Sequence, residues 1–159
     1  ASDSSAVLKQ WDAIKREEKG TQRAPYLSGV TQGLPSLMRA QKLQKKAARV
    51  GFDWPDVAPV LGKIREETQE LEQAMADGNA AELTHELGDL LFSVVNLARK
   101  LGVDAESALA ATNERFERRF GSVETQLINQ GKELSSATLA EMDAAWDQAK
   151  LLEKSAVSN

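Results

Sequence analysis

The chain contains no cysteine and a single histidine. The first absence excludes disulfides, thiolate metal sites and cysteine nucleophiles. The second argues against a histidine-rich metal centre and against a histidine-based triad. No apolar run is long enough to cross a membrane, so no membrane partner is expected. The opening residues A-S-D-S-S-A carry no signal-peptide pattern, and the cytoplasm is the expected location. Proline is scarce: there are four, and none follows Pro59. No segment of useful length shows the period-two alternation of a strand. A chain of this kind is expected to be all-α. Aromatic residues make up only 5% and the formal net charge is −4. An acidic chain lacks the basic footprint that a nucleic-acid backbone requires, so no nucleic-acid partner is expected. A mononucleotide remains possible, because metals and a few local Lys or Arg can hold its phosphates.

What is present is ordinary for a globular protein, with 42% hydrophobic and 28% charged residues in 159. A chain of this length buries roughly 70% of its unfolded surface, enough for one domain with a real core.

The most informative stretch runs from Lys63 to Asp89. It reads K-I-R-E-E-T-Q-E-L, breaks at Asp77-Gly78-Asn79, and resumes as E-L-T-H-E-L-G-D-L-L-F. In the first half Val57, Val60, Leu61, Ile64, Leu71 and Met75 form an apolar helical stripe. Glu67 sits inside that stripe, with Glu70 about 60° further round the helix. In the second half Leu83, Leu87, Leu90, Leu91, Val94 and Leu101 form the stripe, and Glu86 and Asp89 follow one edge of it. The short break makes the two helices antiparallel neighbours. Packing their faces brings four carboxylates toward one another, where they repel unless cations occupy the space. Hard divalent ions, Mg²⁺ or Mn²⁺, suit such oxygen ligands. The bland alternative is a solvated acidic face with i, i+4 pairs such as Lys63–Glu67. It suffices for any one glutamate, but not for all four with Glu67 inside the stripe.

Taken in order, Ser4–Lys19 reads as a helix with Val7, Leu8, Trp11 and Ile14 on one side and Trp11 in the core. Gly20–Gly33 reads as a loop or extended arm. Leu34–Val50 is a basic helix, with Pro35 tolerated in its first turn and Arg39, Lys42, Lys45, Lys46 and Arg49 on its surface. Most of that charge is solvated, but such a helix can also meet phosphate, with Lys42 as the candidate contact. Gly51 stops this helix and Asp56 caps the next. Asn79 and Glu82 have capping-box spacing, and Gly102 ends the second acidic helix. A long helix follows from Ala105 to about Asn129, with Leu109, Thr112, Phe116, Phe120, Val123 and Leu127 along one side and Gly121 as a weak point. Gly131–Ser136 is a loop. Thr138 and Glu141 form a capping box for a last helix carrying Leu139, Met142 and Trp146. The division is thus an N-terminal helix and arm over 1–33, a helical domain over 34–154, and a frayed tail over 155–159.

The pattern E-E-x-x-E at Glu66, Glu67 and Glu70, followed by E-x-x-D at Glu86 and Asp89, resembles the signature of the all-α nucleoside triphosphate pyrophosphohydrolases of the MazG family. The resemblance extends over Leu34–Asp56, Asn96–Gly102, Thr112–Phe120 and Glu141–Lys150. It implies an antiparallel helical bundle with a four-helix core and additional N- and C-terminal helices, paired into a homodimer. It also implies Mg²⁺-dependent hydrolysis of nucleoside triphosphates to monophosphate and pyrophosphate, with broad base tolerance. By position, Glu67, Glu70, Glu86 and Asp89 match the metal ligands, and Glu66 could support the ligands or assist the attacking water. Lys63 reads either as an ion pair with Glu67 or as a triphosphate contact. Asn113, Arg115 and Arg119 fall in the T-N-E-R-F-E-R-R-F block. Arg115 and Arg119 resemble the family's phosphate-binding pair, although lysine is commoner where Arg115 stands. Trp146 and Lys150 match a pair that approaches the nucleotide; Trp146 either stacks on a base or packs in the core. Trp54 is expected to be a packing anchor, and His85 a surface or supporting residue. MazG proteins commonly hold two related domains, and this chain resembles the C-terminal, catalytic copy, as a fragment or as a single-domain form. The alternatives are a relative narrowed to dUTP, dCTP or phosphoribosyl-ATP, and a metal-binding helical module without catalysis.

Overall fold

The computed structural model describes residues 24–157, together with positions 7, 9–11, 13 and 14. Those six early positions are helical, in keeping with the expected Ser4–Lys19 helix. The remainder of that helix, 20–23 of the expected arm, and 158–159 of the expected tail lie outside the described residues. Five long helices follow: α1 (Ser36–Ala48), α2 (Val57–Asp77), α3 (Ala80–Lys100), α4 (Ala105–Asn129) and α5 (Leu139–Val157). Short 3-10 turns cover Tyr26–Gly29 and Leu134–Ser136, within the two stretches expected to be loop. No strand occurs among the described residues. No helix among them is long and apolar enough to cross a membrane.

The helix ends follow from local chemistry. Asp56 accepts from the Ala58 N–H at 2.9 Å, and Asn79 accepts from the Ala81 N–H at 3.1 Å. Thr138 and Glu141 form a reciprocal capping box at 3.3 and 3.0 Å. Each supplies an acceptor or donor to a terminal group that the helix itself cannot satisfy. Gly78 takes φ 67°, the left-handed conformation that a side chain disfavours, and Asn79 caps α3 immediately after it. Two residues therefore reverse the chain. Pro35 differs from expectation. It is the residue before α1 rather than part of the first turn, with an extended ψ of 140°.

The chain forms two compact units, residues 1–106 and 107–159. In the first, α2 and α3 pack along each other and α1 packs on α3. Val60, Ala74 and Val95 are buried there. Polar side chains fix α1 in place. Gln44, itself buried, donates to the Phe92 carbonyl at 2.9 Å. The Gln41 amide donates to the Val103 carbonyl and accepts from the Ala105 N–H, both at 2.8 Å, and so bridges the turn after α3. In the second unit, Val123, Leu127 and Ala145 are buried together, with Leu134, Ala137, Met142 and Trp146 packed against them.

Several expected core positions are exposed instead. Trp11 is 65% exposed, and Leu61, Met75, Leu87, Leu91, Val94 and Leu101 are also on the surface. Leu109, Phe116, Phe120 and Leu139 are too. Apolar residues occupy more of each helix than its neighbours cover. Packing chooses the arc, and the period alone does not. Trp54 is likewise exposed, so its indole is not a packing anchor. The loop around it is anchored by ions: Arg99 grips Asp53 with two guanidinium nitrogens, and Lys100 donates to the Trp54 carbonyl at 2.7 Å.

The hydrogen bond from Arg99, the main cause, holds the Asp53 carboxyl below its ordinary 3.8. Its stabilisation is present above that ordinary value and is lost as pH falls through the lowered folded-state value. Asp53→Asn is expected to destabilise the protein by about 0.5–1 kcal/mol near neutral pH. Thermal melts of both proteins should converge as the pH is taken well below 3.8. Identical melting temperatures at neutral pH would contradict the clamp.

Candidate functional site

In the first unit the acidic residues lie on the facing pair α2 and α3. Glu67 falls on the inner line of α2 with Val60 and Ala74, at intervals of seven residues, and its side chain is only 4% exposed. One of its oxygens, Oε1, lies 2.6 Å from the Lys63 ammonium. The other, Oε2, is buried and has no hydrogen-bond partner. One ligand atom from each of Glu67, Glu70 and Glu86 lies within 4.8 Å of the others. These residues come from two helices, so the short reversal at Gly78–Asn79 is what assembles them.

Asp89 stands in a different group. It lies with His85 and Glu86, whose ligand atoms also fall within 4.8 Å of one another. The His85 Nδ1 is 3.4 Å from both carboxylates, and the ring is well exposed. Glu86 belongs to both groups and joins them. Glu66 points outward, and its carboxylate lies 2.9 Å from the same Lys63 ammonium.

The electrostatics follow from this crowding. Partial desolvation, then the Glu67 charge, raises the Glu70 carboxyl above its ordinary value; Glu86 adds to this and Lys63 opposes it. Hydrogen bonds to Glu67 and then Glu66 raise the Lys63 ammonium above its ordinary value, so it stays charged. A buried carboxylate beside two others, with an orphaned oxygen, is a poor structural element but a suitable ligand set for a hard cation. Lys42 is exposed on α1.

The remaining candidates lie in the second unit. Trp146 is half buried. Its ring meets Phe116 at 5.4 Å, tilted 49°, and Phe116 stacks on Phe120 at 6.0 Å. The Arg119 guanidinium lies over the Trp146 ring at 5.8 Å. Arg119 also donates to Glu153 at 2.7 Å, and Arg118 donates to the same carboxylate at 3.2 Å. Those hydrogen bonds, Arg119 first, hold Glu153 below its ordinary value. Arg115 bonds one turn back to the Thr112 hydroxyl at 3.1 Å, and Lys150 pairs with Asp147 at 2.7 Å. Asn113 is exposed on α4. Arg119 and Trp146 are thus brought together, whereas Arg115 and Lys150 have local partners of their own.

Glu153, which fixes the orientation of Arg119, escaped the sequence reading. Phe116, read there only as part of an apolar helix side, supports the Trp146 ring. The spacing of Trp146, Lys150 and Glu153, at i, i+4 and i+7, could have placed Glu153 on the relevant face.

Comparison with known proteins finds relatives over most of the chain. Residues 57–123 match the MazG nucleotide pyrophosphohydrolase domain. The chain is 47% identical over 154 residues to the nucleoside triphosphate pyrophosphohydrolase of Escherichia coli (strain K12), covering 94% of this chain and 58% of the relative. It is 40% identical over 142 residues to the nucleoside triphosphate pyrophosphohydrolase/pyrophosphatase MazG of Thermotoga maritima, covering 89% of this chain and 54% of the relative. A third relative, the uncharacterized protein YabN of Bacillus subtilis, is 41% identical over 153 residues, of which this chain spans 31% of the length. The chain therefore spans little more than half of the first two relatives.

Because Trp146 packs against the core of its unit, Trp146→Ala is expected to cost about 3 kcal/mol of stability, the low end for a large aromatic truncation. If the exposed side of the ring also stacks on a base, nucleotide affinity of the folded variant should fall by about 1–3 kcal/mol as well. Denaturant unfolding and equilibrium binding on the same variant separate the two roles. An unchanged unfolding midpoint would contradict the packing described here.

Proposed function

We propose that this chain is a member of the MazG family and that it hydrolyses nucleoside triphosphates to the monophosphate and pyrophosphate. The observation that carries this reading is the Glu67 carboxylate, which is buried beside Glu70 and Glu86 with one oxygen unpartnered. An all-carboxylate site cannot hold a polyanion directly, so a divalent cation must stand between them. Four oxygen ligands of this kind, Glu67, Glu70, Glu86 and Asp89, suit Mg²⁺, with Mn²⁺ as a substitute. When bound, the cation supplies neutralisation of the phosphate oxygens and lowers the pKa of a water.

The chain's own residues do the rest. The carboxylates fix the position at which the phosphates are held, and Glu66, exposed on the helix shoulder beside Lys63, serves to orient the water or accept its proton. Lys63 and Lys42 offset phosphate charge in the first unit. Asn113, Arg115, Arg119 and Lys150 are assigned as nucleotide contacts by their match to the family motif, and Trp146 as the surface for the base. A ring face accepts every base alike, which supports broad specificity. The reaction belongs in the cytoplasm, where its substrates are formed.

The reading includes a homodimer with a four-helix core. Leu87, Leu91 and Val94 on α3 and Leu101 at its C-cap are exposed at intervals of four, three and seven residues, an apolar ridge. A ridge of this spacing suits a facing helix, and a second copy laying its own α3 there would bury it.

Three experiments test these assignments. A panel of ribo- and deoxyribonucleoside triphosphates with Mg²⁺ should yield pyrophosphate from all bases at comparable rates. Glu70→Gln and Glu86→Gln should each lower turnover by roughly 10–100-fold or more with the helical spectrum intact. Release of orthophosphate, or near-normal turnover in both variants, would reject the assignment. In sedimentation, the protein should run as a dimer at micromolar concentration. The mass of a single chain would remove the α3 pairing.

A further inference from the structure

Lys63 is more than a partner on the surface of a helix. In an ordinary i, i+4 pair both ends are solvated and the pair contributes little. Here the side-chain exposures are 34% for Lys63 and 4% for Glu67. The ammonium lies 2.6 Å from the buried Glu67 and 2.9 Å from Glu66. Lys63 is the only Lys or Arg that the described ion pairs place against the Glu67, Glu70 and Glu86 group, the other basic neighbour being His85, 3.4 Å from Glu86. The remaining Glu67 oxygen has no partner. The chain therefore supplies, from one helical turn away, a positive charge in direct contact with the buried carboxylate.

A divalent cation taking Glu67 as a ligand would face that ammonium at close range. We propose that Lys63 is an internal counter-ion that the metal must displace, and that the triphosphate arriving with the metal re-partners the displaced ammonium. The proposal rests on the metal-dependent reading above and adds to it a coupling: metal alone binds weakly, and metal with nucleotide binds well, through one lysine. A lysine suits this task. Its point charge sits on a flexible four-carbon stem, which can swing without breaking a planar bidentate contact. The partial exposure of Lys63 leaves it room to do so. Coupling of this kind is reciprocal, so the lysine would also make nucleotide affinity depend on metal.

The test measures binding, not turnover. Mn²⁺ is titrated alone, followed by electron paramagnetic resonance, into the intact protein, Lys63→Met and Lys63→Gln. The titrations are repeated with a nucleoside triphosphate carrying a methylene in its α,β bridge, which cannot be cleaved there. Both variants remove the charge from a partly exposed position, and either one, if folded, suffices. Removing the counter-ion should tighten binding of Mn²⁺ alone at least fivefold, within the range of ordinary coupling. It should also shrink the further gain that the analogue brings. Lys63→Arg, which keeps the charge, should bind Mn²⁺ alone no more tightly than the intact protein. Equal or weaker Mn²⁺ binding in the charge-removing variants overturns the proposal and leaves Lys63 as a helix pair. Tighter binding with an undiminished gain overturns its second half. If the intact protein takes up no Mn²⁺ with or without the analogue, the metal-dependent reading itself fails, and this proposal with it.

Discussion

One carboxylate governs the first unit. Glu67 occupies a position on α2 where an apolar side chain would be the more stable choice, between the buried Val60 and Ala74. A buried charge with an unpartnered oxygen destabilises a fold unless something compensates. The compensation is visible in the surroundings: Lys63 on one oxygen, and a rigid helix pair that prevents the group from relaxing into water. The two-residue reversal at Gly78–Asn79 holds α2 and α3 in the relation that keeps Glu67 dry, and the glutamine contacts fix α1 on α3 and the turn after it. The stability of the hairpin and the tension in the carboxylate group are therefore one arrangement. Proteins commonly give up stability at a site that must bind something the isolated fold does not contain.

The second unit divides its labour differently. Trp146 has one side in the core formed by Val123, Leu127 and Ala145 and another toward Phe116 and Arg119. Glu153 takes the Nε side of Arg119 and leaves the rest of the guanidinium unclaimed by that carboxylate. A cation fixed by an acidic partner and an aromatic face loses less freedom when it meets an anion, because much of its entropy is already gone. The same contacts that stabilise the unit thus prepare its polar surface.

Much of the architecture was legible in the order of residues. Asp56, Asn79, Thr138 and Glu141 could be assigned as caps, and the helix from Ala105 to Asn129 could be bounded at both ends, because each rests on contacts within three or four residues. The place of Glu67 within an apolar stripe was readable for the same reason. The stripes themselves were drawn too wide. Leu61 and Met75 on α2, and Leu87, Leu91 and Val94 on α3, satisfy the helical period yet remain exposed, while Ser93 is buried. Nothing local to a helix distinguishes two apolar arcs. The choice depends on the rotation at which its neighbour packs.

That difference separates the two kinds of information in this protein. The sequence alone determined the helices, their ends, the all-α class and the presence of paired carboxylates on neighbouring helices, since backbone hydrogen bonds and capping are short-range. Only the tertiary structure decided which carboxylates meet. Glu67, Glu70 and Glu86 form one group, and Asp89 joins Glu86 and His85 in another. It also decided that Lys63 turns inward and that Glu153 holds Arg119. These outcomes depend on how two helices are rotated and how deeply each side chain is desolvated. Both are properties of packed surfaces, and neither is written in the spacing of residues along a single helix.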